Sequence, residues 1–512
     1  MPLTKENVTI PPMDTHNQTL ISNVHPSNWE NPTPAEVYNL VVLGAGTAGL
    51  VTAIGAAGLG AKVALVEKHL MGGDCLNVGC IPSKGMIRSS RVIAEVREAS
   101  SHGIRIPEGT EANFSAVMER VRKLRAVISH HDSAERYKSL GIDVFFGEAQ
   151  FKTSNSVEVG GEILKFKKAV IATGARAAHP PIPGLQEAGF LTNETVFNLT
   201  SLPKRFLIVG AGPIGCELAQ AFGRLGSEVH LFEAMHGFLP REDQDAAGIL
   251  KNIFDKEKIH SLCCCNIQKV EKRGAEKIVH FTAKHEGEKP QEIVVDEILI
   301  GVGRIPNING LNLEAVGVKY DSKSGVQTND YLQTTNPNIY AAGDICLKYK
   351  FTHTADATAR IVIQNALFFN SKKLSSLIVP WCTYTDPEIA HVGSYENEAK
   401  EKGIEVETFS REFKEVDRAI LDGEPEGFVK VHVKKGTDKI LGATMVARHA
   451  GDMISEITLA MTAQVGLGKI ARVIHPYPTQ AEAIKQVADA YNRARLTPTV
   501  KKIISSWLSW KR

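Results

Sequence analysis

Two cysteines, Cys75 and Cys80, lie five positions apart in the run Gly72-Gly73-Asp74-Cys75-Leu76-Asn77-Val78-Gly79-Cys80-Ile81-Pro82-Ser83-Lys84. Two thiols at that spacing can close a small disulfide ring, accept two electrons and pass them on as thiolates. A purely structural disulfide is the weaker reading. No basic, apolar and small-residue succession of a secretory signal opens the chain, and in a reducing cytosol a closely spaced pair is more often catalytic or metal-binding. A zinc site would need four ligands, and no second Cys/His pair stands at suitable spacing. Thiols near a helix N-terminus have pKa values of about 3.5–7.5 in reactive cases, so a thiolate persists at neutral pH. Redox chemistry in a cytoplasmic protein is the expectation.

The remaining cysteines read differently. Cys216, Cys346 and Cys382 are isolated and suit a core. Cys263-Cys264-Cys265 tempts one toward a metal, but adjacent residues of a strand point to opposite faces and cannot easily converge on one ion. No structural metal site is expected. The 512 residues, 43% hydrophobic and 23% charged, describe an ordinary globular chain of several domains. Fifty-nine basic against 57 acidic residues leave +2, too balanced to argue for nucleic acid.

The elements that must position the thiols begin at Tyr38-Asn39-Leu40-Val41-Val42-Leu43, an apolar run entering Gly44-Ala45-Gly46-Thr47-Ala48-Gly49. A second short apolar run, Lys62–Val66, ends in Glu67. Strand, glycine turn, helix, strand and acid make a dinucleotide fingerprint in its required setting. Gly44, Gly46 and Gly49 permit the tight turn, the approach of a pyrophosphate and helix–sheet contact. The helix N-terminus offers N–H donors to phosphate, and Glu67 accepts ribose hydroxyls. The uncharged stretch Leu40–Ala61 is long enough to span a bilayer, but its six glycines and the acid after it fit the fingerprint instead.

The pattern recurs. Arg205–Val209 runs into Gly210, Gly212 and Gly215, a helix through Leu225, then Glu228–Phe232 and Glu233. Two fingerprints imply two dinucleotides. Ala169-Val170-Ile171-Ala172-Thr173-Gly174 reads as a strand ending in a small-residue turn. Asn338–Asp344 has the same character, with a carboxylate that can hold a polyol such as the ribityl chain of a flavin. Residues 1–35, polar and proline-bearing, read as a flexible extension. From about Ile378 alternating strands and a helix over about Gly451–Val465 suggest a domain that makes an interface. The tail after Val500 is basic and carries Trp507 and Trp510. It reads as a helix docked on protein or frayed in solvent, with weak peripheral membrane contact as the alternative.

From about Tyr38 to Thr497 the chain resembles the class I pyridine nucleotide–disulfide oxidoreductases, which include lipoamide dehydrogenase, glutathione reductase and mercuric reductase. The resemblance implies an α/β fold with two Rossmann-like domains, for FAD and NAD(P), and a C-terminal α+β dimerisation domain. The corresponding segments are 36–200 (FAD), 201–325 (NAD(P)), 326–377 (return to the FAD domain), 378–497 (dimerisation) and 498–512 (tail). It implies a homodimer with Cys75 as the thiol that meets substrate and Cys80 as the flavin-proximal thiol. Lys84 resembles the family lysine near the flavin, with Glu217 as its carboxylate partner. Gly44, Gly46, Gly49, Glu67, Lys84, Thr173, Gly174 and Asp344 fall to FAD; Gly210, Gly212, Gly215, Glu233 and Gly303 fall to NAD(P). Trp381–Glu388 resembles the segment that opens the interface domain.

One position departs from the disulfide reductases of this family. There, a histidine five residues before a glutamate serves as acid–base across the dimer. Counting back five from Glu482 reaches Tyr477, with His475 two positions earlier. A phenol of pKa about 10 is a poor base at neutral pH, whereas an imidazole of about 6.5 suits the task. A tyrosine here resembles the mercuric-reductase-like branch, whose soft metal substrate would be held by thiolates, here Cys75 and Cys80. No cysteine precedes Cys75 and the tail carries no cysteine pair, so the electron acceptor, metal ion or small molecule, is left open. A dihydrolipoyl dehydrogenase or other disulfide reductase is the alternative, and a membrane-surface electron-transfer flavoprotein a further one. Glu233 accepts ribose hydroxyls and repels a 2′-phosphate, and Ala234, Met235 and His236 offer no arginine, so NADH is expected over NADPH.

Overall fold

The computed structural model describes residues 8–235, 237–284 and 287–512, and the chain divides into two compact units. One comprises residues up to 236 together with 258–377; the other comprises 237–257 and 378–512.

The first unit is built on two sheets with parallel cores, the first extended by the antiparallel strands Ser156–Val159 and Ala149–Thr153 beyond Glu162–Ile171. In the first, Tyr38–Leu43 lies between Val63–Glu67 and the long strand Glu162–Ile171, with Asp143–Phe146 beyond Val63–Glu67. Ile339–Ala341 returns to pair with the end of Glu162–Ile171. Leu40, Val41, Val42 and Leu43 are all buried, the two-sided apolar character of a strand covered on both faces. The helices Thr47–Gly58 and Thr352–Leu367 pack on each other, and Gly55 receives the side chain of Ile363. In the second sheet the order is His260–Cys263, Glu228–Glu233, Arg205–Val209, Glu297–Ile300, all parallel. Cys265–Arg273, Glu276–Ala283 and Gln291–Val295 form an antiparallel sheet beside it in sequence.

The second unit is a five-stranded antiparallel sheet in the order Pro380–Thr383, Glu388–Gly393, Ile440–Ala447, Phe428–Lys434, Val406–Glu412. The helices Ala450–Thr462 and Glu482–Ala494 share its core, with Ile457, Ala483 and Val487 fully buried. Residues 237–257 belong here because Glu242, itself buried, accepts hydrogen bonds from Trp381 Nε1 at 2.9 Å and Tyr395 Oη at 2.8 Å.

The N-terminal segment is a correction. Residues 1–35 were expected to be flexible; of these, 8–35 are described and contain the helix Thr15–Val24. Leu20 and Val24 are fully buried against the first sheet's core, and the Met71 N–H donates to the Val24 carbonyl at 3.1 Å. Arg125, buried, donates to Asn17 Oδ1 at 3.0 Å and to the Asn77 carbonyl at 2.8 Å. A polar-looking stretch thus carries one apolar stripe and a satisfied polar face, and it braces the segment that bears Cys75. Leu20→Ala should therefore destabilise the protein by about 2–5 kcal/mol, seen as a lower urea midpoint, while exposed Gln18→Ala leaves the midpoint in place. Equal midpoints for the two variants would show that the helix is not docked.

Candidate active site

Cys75 lies in the short helix Gly73–Asn77, and Cys80 is the first residue of the helix Cys80–Glu98. Gly79 between them comes so near the Asp74 carbonyl that a Cβ there would sit 2.8 Å from its oxygen, so the turn that joins the thiols admits no side chain. Both cysteines are half-buried free thiols.

The pair is polarised. Cys80 is pulled below the usual thiol range by the hydrogen bond from Cys75, then by one from Thr352 and by the charge of Lys84, against burial and Glu217. Cys75 is pushed up by the same bond seen from the donor's side, by burial and by the charge on Cys80, with Asp132 acting in the same direction. Two thiolates cannot stand together in so dry a place, so one proton stays with the pair. Its placement follows from the helices. Cys80 opens one helix, and Thr352, whose Oγ1 lies 3.3 Å from Cys80 Sγ, opens another. Two positive helix ends thus converge on one sulfur.

Lys84 stands one turn beyond Cys80 and binds Glu217 Oε2 through Nζ at 2.9 Å. Glu217 is buried on the helix Pro213–Leu225, which packs on Cys80–Glu98. A buried carboxylate requires such a partner. The second fingerprint's helix is therefore tied to the thiol-bearing helix by this ion pair as well as by packing.

The two nucleotide cradles repeat one hydrogen-bond pattern. Glu67 accepts the N–H groups of Ala45 at 2.7 Å and His69 at 2.9 Å; Glu233 accepts those of Ala211 and Met235, both at 3.0 Å. Gly46 and Gly212 cap the helices Thr47–Gly58 and Pro213–Leu225, whose first-turn N–H groups have no partner within the helix. Gly44 and Gly210 have φ of +102° and +108°, and side chains at Gly49 or Gly215 would strike their carbonyl oxygens. Thr173 Oγ1 donates to the Asn307 carbonyl at 2.9 Å, and the Asn307 N–H donates to Gly174 at 3.0 Å, so this turn is held against the strand Arg304–Pro306. Gly303 precedes that strand at φ +126°, while the close approach to Gly210 is made by the Gly301 carbonyl. Asp344 is half-buried, and its desolvation raises its pKa; its carboxylate lies 3.3 Å from Arg304 Nε, and Arg304 also pairs with Asp74.

The cysteine triplet is not one continuous strand. Cys263 ends one strand, Cys265 begins the next, and Cys264 between them has φ +57°. Burial and the neighbouring Cys264 thiol raise Cys263, so these two side chains do approach, contrary to the alternation expected of a strand. Cys264, Lys284 and Glu288 line a surface pocket with Ala234 and Met235 next to Glu233.

In the second unit, Tyr477 and Glu482 occupy the stretch leading into the helix Glu482–Ala494. Tyr477 is 69% exposed and donates to Asp417 Oδ2 at 2.9 Å. That bond, with the charges of Asp417 and Glu482, raises the phenol above its usual range. The His475 ring is turned inward, with 6% of its side chain exposed and Nε2 3.1 Å from Glu456 Oε1. The tyrosine, not the histidine, is presented on the surface of this unit.

Residues 38–359 match the family model described as pyridine nucleotide-disulphide oxidoreductase, and residues 379–488 match the family's dimerisation domain. The chain belongs to this family. It is an FAD-dependent pyridine nucleotide–disulfide oxidoreductase, and its dimerisation domain supports a homodimer. Mercuric reductase of Staphylococcus aureus is 34% identical over 456 residues, 89% of this chain and 83% of that protein. Dihydrolipoyl dehydrogenase of Thermus scotoductus is also 34% identical, over 467 residues, covering 90% of this chain and 98% of that one. Among solved structures, the HOCl-induced flavoprotein disulfide reductase RclA from Escherichia coli superposes with a TM-score of 0.77 at 26% identity, covering 88% of this chain and 99% of that one. Its Cu(II) complex superposes at 0.78.

The residues present fit FAD. Gly46 and Gly73 approach so closely that a Cβ on Gly73 would lie 2.6 Å from the Gly46 Cα, a cradle that only bare backbone leaves open beside the helix end. Thr352, Asp132 and Arg304 are residues that sequence reasoning missed; none sits in a motif, and Thr352 reaches Cys80 from 272 positions away. In the reduced protein, thiolate absorbance should show one group that keeps its charge below the ordinary thiol range and loses it as pH falls through that lowered pKa. Cys75→Ala and Thr352→Val should each move the midpoint up toward pH 8–9, the ordinary range of about 8.5. An unchanged midpoint in both variants would remove the hydrogen-bond explanation.

Proposed function

We propose that this protein uses NADH to reduce a soft metal ion held by Cys75 and Cys80, in the manner of a mercuric reductase. The observation that carries this reading is Tyr477: the position five before Glu482 presents a phenol whose proton is held by Asp417, while His475 is engaged with Glu456. Opening a disulfide releases a thiolate that must be protonated, and a phenol raised above its usual range is a poor partner for that step. A metal ion that leaves as the reduced atom asks for no such proton. The similarity to mercuric reductase and the Cu(II) complex of RclA support a thiophilic ion as substrate.

In this reading Cys75 meets the ion and Cys80 supplies the thiolate, so the ion is bound by soft sulfur ligands as it enters. Lys84, fixed by Glu217, holds positive charge near Cys80. Glu67, Asp344 and the Gly44–Gly49 turn would hold FAD, which when bound supplies the two-electron carrier between nicotinamide and thiol pair. Gly210, Gly212, Gly215 and Glu233 would hold the nicotinamide nucleotide. Overall, NADH gives up a hydride equivalent, the ion gains two electrons, Hg(II) becoming Hg(0), and one proton is released.

Disulfide reduction is the second reading, supported by Glu233 and by a dihydrolipoyl dehydrogenase relative of equal identity. Turnover with Hg(II)–thiol complexes, dihydrolipoamide and small disulfides separates the two. Good turnover of the mercury complex, abolished in Cys75→Ser, is the expected result, with Tyr477→His lowering metal turnover at least several-fold. If wild type instead oxidises dihydrolipoamide well and Tyr477→His changes nothing, the metal reading fails.

The nicotinamide choice has its own test. Glu233 repels a 2′-phosphate, and the pocket beside it is lined by one cation, Lys284, and one anion, Glu288. NADH should exceed NADPH in kcat/KM by an order of magnitude or more, and Glu233→Ala should narrow that ratio. A strong NADPH preference in the wild type would overturn the assignment.

A further inference from the structure

The tail forms the helix Pro498–Trp510, started by Thr497, whose side chain accepts the Val500 N–H, and by Pro498 at the first helical position. None of its residues is buried. Spaced around a helix of 3.6 residues per turn, Val500, Ile503, Ile504, Trp507, Leu508 and Trp510 fall on one face and Lys501, Lys502, Ser505, Ser506 and Ser509 on the other. The rings of Trp507 and Trp510 are 5.2 Å apart, and Trp510 is 76% exposed. A face of six exposed apolar side chains is unusual in a surface helix and requires an occupant.

Charge decides which occupant. Residues 490–512 hold six basic side chains, Arg493, Arg495, Lys501, Lys502, Lys511 and Arg512, and no acidic one. Bringing this segment against its copy would set like charges together, whereas an anionic surface is complementary to it. Thirteen residues are too few to cross a bilayer, and no helix among the described residues is long and apolar enough to do so. Tryptophan rings favour the level of lipid headgroups, and lysines flanking an apolar face engage anionic lipid.

We propose that the helix Pro498–Trp510 lies in the surface of an anionic lipid bilayer, with its Val500–Trp510 apolar face inserted at the headgroup–acyl boundary and its lysines among the phosphates. This attaches the enzyme reversibly to a membrane surface whichever acceptor Cys75 meets. Neither tryptophan belongs to the thiol or nucleotide sites, so the tail can be altered without touching them.

The test uses the full-length, FAD-loaded protein with vesicles of phosphatidylcholine alone or mixed with phosphatidylglycerol. Co-flotation with the mixed vesicles only, with a blue shift of tryptophan emission, is the expected result, and salt of about 1 M should release the protein because the Debye length falls to about 3 Å. Lys501→Glu with Lys502→Glu should weaken partition by roughly tenfold or more. Trp507→Ser with Trp510→Ser should do likewise and abolish the blue shift, with NADH-dependent turnover in solution unchanged. The proposal is overturned by absence of binding to the mixed vesicles, by equal binding to neutral ones, or by binding that both double variants retain. It is equally overturned if the tryptophan variant changes the oligomeric state and not vesicle partition, which would assign the face to a second copy.

Discussion

The polarised thiol pair is the arrangement on which the rest of this protein depends. A thiolate in a half-buried place is costly unless donors and positive charge are already in position. Here Cys75 donates to Cys80, Thr352 adds a second donor, two helices begin at the sulfur and Lys84 stands a turn away. The charge of Glu217 opposes this, while its ion pair with Lys84 helps hold the lysine in place. The net effect is a site that holds one proton on Cys75 and one negative charge on Cys80. That is the charge state from which a sulfur can attack or ligate.

Around it, the chain solves one problem twice. At each glycine turn an acidic residue at the end of the neighbouring strand accepts two backbone N–H groups, which fixes the carboxylate while leaving lone pairs for a sugar. Burial raises Glu67, and those backbone bonds work against the rise. The same economy of parts explains the N-terminal helix. Arg125 reaches from Asn17 to the Asn77 carbonyl, so the segment carrying Cys75 is braced by residues that precede the first strand.

The second unit carries a tyrosine and a histidine with different partners. Asp417 engages the Tyr477 hydroxyl and Glu456 the His475 ring, so the phenol is exposed and the imidazole is not. The imidazole is on the inside of this unit and the phenol on the outside.

Much of this was legible in the residues. Cys75 and Cys80, both glycine fingerprints, Glu67 and Glu233 declare themselves because their chemistry is local: a turn, a helix end and a strand end lie within some twenty residues of one another. Residues 8–35 were misread because their composition is polar, while their docking rests on Leu20, Val24 and one buried arginine from another helix. The cysteine triplet was assumed to be one continuous strand, whereas Cys264 takes a positive φ that breaks it. Only the tertiary structure decided that Thr352 touches Cys80 and that His475 faces inward while Tyr477 faces out; the pairing of Lys84 with Glu217 was already implied by the family resemblance. Sequence fixes which groups a chain owns and their order along local turns; the distances that set a pKa or expose a ring arise only when elements far apart in the chain pack together.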